Sequence, residues 1–170
     1  MSGSRTKVDD ALSNLASRLK LESLKLNEKN ETYLLFDQKF HVTCVFDETK
    51  DEFVLTSFVG ELERNSPDAY KKLLGDNFFW AGTAGSRLFL DPGAEDSPDT
   101  IIIKEIVPIA MFDEERLYER MEDFVNAVEY WTTEYPKLKQ GGGKIQSTGG
   151  SSPVAGSSSS PISDFGMISA

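Results

Sequence analysis

Leu73-Leu-Gly-Asp-Asn-Phe-Phe-Trp-Ala-Gly-Thr-Ala-Gly-Ser-Arg-Leu-Phe-Leu-Asp-Pro92 is the stretch whose reading decides the fold. A helix that opens at Ser66-Pro67-Asp68 runs into it, and a strand leaves it over residues 86–91. Between them the aromatic triplet Phe78-Phe79-Trp80 meets a glycine-punctuated turn, Gly82-Thr-Ala-Gly85. The run is too apolar for the surface of a small domain. It also lacks a nucleophile, a general base and a metal-ligand set, so its role is assembly: a core, a subunit contact, or both.

Upstream, the helix carries its own start signal. Ser66 stands at the cap, Pro67 at the first helical position and Asp68 beside the positive helix end, with Tyr70, Leu73, Leu74 and Asn77 on one stripe. Three strands are expected before it. Residues 31–36 are almost continuously apolar, and Phe40, Val42, Cys44 and Phe46 alternate with His41, Thr43, Val45 and Asp47 at a period of two. The third runs from Phe53 to Leu62, with Phe53, Leu55 and Val59 on one face and Val54, Phe58 and Leu62 on the other. Apolar residues on both faces require a cover on each, since a half-solvated antiparallel sheet keeps one face polar. At the start of the chain Val8, Ala11, Leu12, Leu15, Ala16 and Leu19 recur at helical spacing. Thr6 is the expected cap of that helix, with Asp9 three residues on.

Downstream, Ser86 to Leu90 and the β-branched run from Thr100 to Ile109 read as two more strands, with Pro108 at an edge or terminus. Asp113 is the expected cap of the longest helix. Leu117, Met121, Phe124, Val128, Trp131 and Tyr135 form its stripe, Glu115, Glu119, Glu122 and Glu129 its acidic face, and Pro136 its expected stop. From Gln140 the composition turns to Gly and Ser. Residues 1–139 are thus read as one domain and 140–170 as a flexible tail. Ile162, Phe165, Met167 and Ile168 make the end of the tail more apolar than the rest, and two readings stay open: an unstructured end, favoured on composition, and a short docking segment.

With 170 residues, 39% of them apolar and 11% aromatic, the chain is sized for one domain with a substantial core. A formal charge of −10, from 28 acidic and 18 basic residues, argues against a nucleic-acid partner, which is bound by clustered Lys and Arg. The single cysteine, Cys44, forms no internal disulfide and fits a reducing cytoplasm. The polar N-terminus has no apolar signal region, and no apolar run approaches the roughly 20 residues of a membrane-spanning helix. A soluble, cytoplasmic protein without membrane insertion is the expectation.

Chemistry is absent where it would be sought. His41 and Cys44, three apart on a strand, point to opposite faces, and Cys44 falls with Phe40, Val42 and Phe46 as a buried thiol. No second His or Cys completes a zinc site. Gly82-Thr-Ala-Gly85-Ser86 lacks the Gly-Lys-Ser/Thr ending of a phosphate loop, and Asp164-Phe-Gly166 has no catalytic loop to accompany it. No enzyme and no cofactor are expected.

The order of elements and the central motif resemble the Tir chaperone (CesT-like) family, the class I chaperones of type III secretion. The resemblance rests on Leu73, Leu74 and Asn77 at the helix end, Thr83 and Gly85 in the turn, and Leu88, Leu90 and Asp91 in the strand. An early Leu-rich helix and a late acidic helix match as well, so that it covers residues 5 to about 138; the Gly/Ser tail departs from the pattern. The fold it implies is α+β, a single domain in the order α-β-β-β-α-β-β-α, with helices packed on a twisted antiparallel sheet. It further implies a homodimer joined through the second helix and the following strand, here Leu74, Asn77, Phe79, Trp80, Leu88 and Leu90. The partner it implies is the N-terminal segment of a secreted effector, held extended and export-competent without nucleotide or metal. The secretion ATPase or sorting platform is a further implied partner. Leu15, Leu19, Leu21, Phe36, Val54 and Phe58 are the expected effector contacts, because they lie on or beside stripes with more apolar surface than one covering layer explains. An adaptor module that binds a regulator in place of an exported cargo is the alternative.

Overall fold

The structure is a computed structural model that describes residues 3–63, 66–79, 83–94 and 97–140, leaving aside the side chains at 78–79 and 138–140. Three helices and five strands follow the expected order: α1 (Gly3–Arg18), β1 (Glu31–Phe36), β2 (Phe40–Asp47), β3 (Glu52–Leu62), α2 (Pro67–Phe79), β4 (Arg87–Asp91), β5 (Asp99–Pro108) and α3 (Leu117–Gln140). The strands form one five-stranded sheet in the order β1-β2-β3-β5-β4, antiparallel throughout. α3 packs across β2 and β3, α1 packs against α3, and α2 bridges α3 and β4.

Alternation places the core. Leu34 and Phe36 of β1, Val42, Cys44 and Phe46 of β2, Phe53 and Leu55 of β3, and Ile101, Ile103 and Val107 of β5 are buried on the helix side. Against them α3 buries Leu117, Met121, Phe124, Val128 and Trp131, and α1 buries Val8, Leu12 and Leu15. The stripe expected on α3 is therefore a core stripe.

Four local expectations are corrected. Thr6 does not cap α1, which begins at Gly3. Its first turns are instead tied to the segment that follows the helix: the Asp9 carboxylate accepts from the Leu26 N–H at 3.1 Å, and the Arg5 guanidinium donates to the Asn27 carbonyl at 3.1 Å. In β3, Leu62 lies with the core and not opposite it. The register shifts between Phe58 and Gly60, and the extra residue of that bulge reverses the alternation beyond it. β5 ends at Pro108, and Ile109–Met111 form a single 3-10 turn. Asp113 closes a turn by accepting from the Glu115 N–H at 3.0 Å, so the long helix starts only at Leu117. Pro136 does not stop that helix, which runs on to Gln140. The preceding residue holds it in place, because the Tyr135 hydroxyl donates to the Glu61 carbonyl and accepts from the Glu61 N–H at 2.9 Å.

Candidate interaction surfaces

The two described residues that invite a catalytic reading, His41 and Cys44, are kept apart by the sheet. His41 is exposed on the outer face of β2, while Cys44 is buried on the other. Burial pushes the Cys44 thiol up to about 12, which keeps it protonated and inert. Among the described residues no group of His, Cys, Asp or Glu is arranged to hold a metal ion. An ionic tie joins α3 to β5, where the Arg120 guanidinium meets the part-buried Glu105 carboxylate at 2.6 Å. Burial raises the Glu105 carboxyl above its usual range and the guanidinium opposes that rise. Residues 164–166 lie outside the described residues.

The first surface lies between α2 and β4. β4 is an edge strand, and its free side is closed by a side chain: the Asn77 amide donates to the Leu88 carbonyl and accepts from the Leu88 N–H, both at 2.7 Å. A planar amide has the donor and acceptor of a peptide group, so Asn77 stands in for a neighbouring strand. Tyr70, two turns back along the same face, donates to the Asp99 carboxylate at 2.9 Å. These bonds hold α2 beside β4 and leave an apolar hollow of about 430 Å³ lined by Leu73, Leu74, Phe89 and Leu90. Leu74 is 70% exposed, whereas Leu88 is buried beneath the strand. The structure thus brings Leu74, Asn77, Leu88 and Leu90 of the expected dimer contact together. Trp80 and the side chain of Phe79 lie outside the described residues.

The second surface follows the C-terminus of α1. Lys20 adopts a positive φ of 59°, the Leu21 N–H reaches back to the Ala16 carbonyl at 2.9 Å, and the chain turns sharply off the helix. Leu19 and Leu21 are left half-buried at this corner. With Phe36, Tyr118, Met121 and Val125, Leu19 lines a shallow groove that borders β1, the other edge strand. Leu15 and Phe36 are 1% and 3% exposed: Phe36 forms the floor of this groove rather than its rim, and Leu15 belongs to the core.

The third is the outer face of the sheet. The register sets Val45, Val54 and Ile106 in one row, and Phe58, Ile102 and Phe89 in another. Between these rows run Tyr33, Thr43, Thr56, Lys104 and Arg87. Phe58 is 56% exposed and Ile106 47%, so among the described residues this face is open at both side chains. Val54 and Phe58, expected as binding residues, stand here on the side of the sheet opposite the core, away from Leu19 and Leu21.

Known proteins share this arrangement. The family model of the Tir chaperone protein (CesT) family matches residues 10–132. Comparison with curated protein sequences gives no match. Among solved structures, the chain resembles the HopA1–SchA chaperone–effector complex at a TM-score of 0.62 and 16% identity, covering 78% of this chain and 98% of that one. It also resembles the Yersinia pestis type III secretion chaperone SycH in complex with a stable fragment of YscM2, at 0.55 and 21% identity, covering 72% and 98%. The same fold recurs in YbjN, a putative transcription regulator from E. coli, at 0.51 and 12% identity, covering 76% and 92%. The family model covers more than half of the chain, and the solved chaperone structures share its fold: this chain belongs to the Tir chaperone (CesT) family.

Proposed function

We propose that the protein is a cytoplasmic, dimeric type III secretion chaperone that holds the N-terminal segment of an effector soluble, extended and competent for export. The observation that carries this is a protomer with a complete core and three apolar surfaces left over, in a chain of this family. The hollow between α2 and β4 suits a second copy, with Leu74 and Leu90 as the side chains that meet it and Asn77 and Leu88 as the tie that shapes it. The cargo is assigned to the other two surfaces. An extended segment adds to the free edge of β1 and sets alternate side chains against Leu19 and Leu21, with Leu15 and Phe36 supporting from beneath. Further along, the cargo reaches Val54 and Phe58. Two neighbouring structures are complexes of chaperones with their partner chains, which supports the same use of the fold here. The work is binding, without catalysis or cofactor, and release at the export machinery makes the secretion ATPase or sorting platform a further partner.

The net charge of −10 steers a basic or neutral cargo, while the apolar side chains supply most of the affinity. Co-purification from the native cytoplasm, with mass-spectrometric identification of the retained chain, tests the proposal. An effector bound through its N-terminal segment is the expected result. Leu19→Asn and Phe58→Ser, checked for folding by circular dichroism, are expected to weaken that complex at least tenfold, and raised salt to weaken the parent complex only slightly. Variants that stay folded and bind as tightly as the parent would remove the proposed surface. Retention of a regulator in place of an effector would favour an adaptor role, which the shared fold of YbjN keeps in view.

A further inference from the structure

The outer face of the sheet is unusual in its charge as well as its apolarity. Its two ends are acidic: Asp47 and Glu52 stand at one, Glu61 and Asp91 at the other. Its middle row carries the cations Lys104 and Arg87 on adjacent strands, and the Lys104 ammonium sits 5.4 Å from the centre of the Phe89 ring. A basic side chain placed at the centre of the patch would meet like charge there. A second copy, docked by a two-fold axis through that centre, would set Lys104 against Lys104. What fits is an apolar segment with one acidic side chain in its middle.

Such a segment exists in this chain. Ile162-Ser-Asp-Phe-Gly-Met-Ile168 has four large apolar residues and a single charge, Asp164. It is joined to α3 through residues 141–161, a Gly/Ser-rich run whose only charged residue is Lys144. The chain leaves α3 at Gln140, about 7.5 Å past Tyr135 at 1.5 Å per residue, and Tyr135 ties that end of the helix to Gly60 and Glu61, at the far end of β3. From there to the row of Thr56 and Lys104 is about 17 Å along the strand, at roughly 3.3 Å per residue. A Gly/Ser linker of about 20 residues has a root-mean-square span near 25 Å, and a tether of that length supplies a millimolar effective concentration. A weak contact is enough to be occupied.

We propose that residues 162–168 bind the outer face of their own sheet, with Phe165 and its apolar neighbours against Phe58, Ile102 and Phe89, and Asp164 beside Lys104. The segment then acts as an internal placeholder that shields the face until another chain displaces it. The contact uses one of the surfaces assigned to cargo, but no cargo enters its test, so the two readings fail separately.

The experiment places the photo-crosslinker p-benzoylphenylalanine at Phe165 in the full-length chain, irradiates a mixture of isotope-light and isotope-heavy protein, and maps the crosslinked peptides. Crosslinks within one chain to the peptides that contain Phe58, Ile102 or Phe89 are expected. Lys104→Glu should reduce them at least threefold, and Asp164→Lys added to it should restore them. Arg87→Glu, on the neighbouring strand, serves as a second charge variant, and circular dichroism confirms that each is folded. Absent or scattered crosslinks, crosslinks only between light and heavy chains, crosslinks centred on the hollow between α2 and β4, or a yield indifferent to both charge variants would each overturn the proposal.

Discussion

Asn77 acts as a short piece of strand carried on a helix. Leu88 turns its N–H and C=O away from β5, toward a free edge where they would otherwise rely on water, and the Asn77 amide meets both at 2.7 Å. Alanine at this position leaves a part-buried donor and acceptor unmatched. We expect Asn77→Ala to destabilise the fold by about 1–3 kcal/mol, seen as a lower urea midpoint at unchanged slope. Asn77→Asp should not rescue it, since a carboxylate accepts from the Leu88 N–H but repels its carbonyl. A midpoint unchanged by either substitution would show that the amide is not the tie. The spacing from Leu73 to Asn77 marked the residue as part of a motif. Its task depends on a strand eleven positions later, so no reading of the helix alone reveals it.

At the scale of elements, the junction of β3 with α3 rests on a close approach of a ring to a backbone. The Tyr135 ring lies directly on Gly60, and a Cβ at that glycine would overlap the ring. The bulge between Phe58 and Gly60 sets this up, because it brings Val59, Gly60 and Leu62 all to the buried side. Gly60→Ala is expected to cost about 1–3 kcal/mol through overpacking. Adding Tyr135→Ala, which removes the ring, should leave the double variant more stable than the sum of the single losses predicts. Thermal unfolding of the four proteins checks this, and strict additivity would mean that the ring and the glycine do not share the site. The same contact explains why α3 continues past Pro136. A proline in a helix removes one backbone bond and crowds the preceding turn, and here Tyr135, anchored on both the N–H and the carbonyl of Glu61, holds the last turns against the sheet. Proline as a stop signal is a local rule that a tertiary contact overrides.

For the whole molecule, the question is how much apolar surface one copy leaves uncovered. Leu74 is 70% exposed beside the hollow shared with Phe89 and Leu90, so little of its side chain is given to the core. Leu74→Glu should therefore spare the fold and break a dimer, moving the mass in light scattering from twice 18.9 kDa to that value. An unchanged dimer mass would place the two-fold contact elsewhere. Leu88 is a poor choice for the same experiment: it is buried, and a charge there would unfold the strand before it tested any interface.

Element order, the α+β class and the core stripe of α3 were legible in the chain itself, because a period of two or 3.6 reports which residues face an interior whatever that interior contains. Partners distant in sequence were not legible. The bulge at Phe58 and Gly60 reversed the alternation of β3, and Asp9 and Arg5 found Leu26 and Asn27 in place of a local cap. Leu15, Leu19, Phe36 and Phe58 looked alike as apolar residues on overfull stripes. Only packing sorted them into the core, the rim of a groove and an open sheet face, because burial belongs to the neighbours a residue acquires and not to its own side chain.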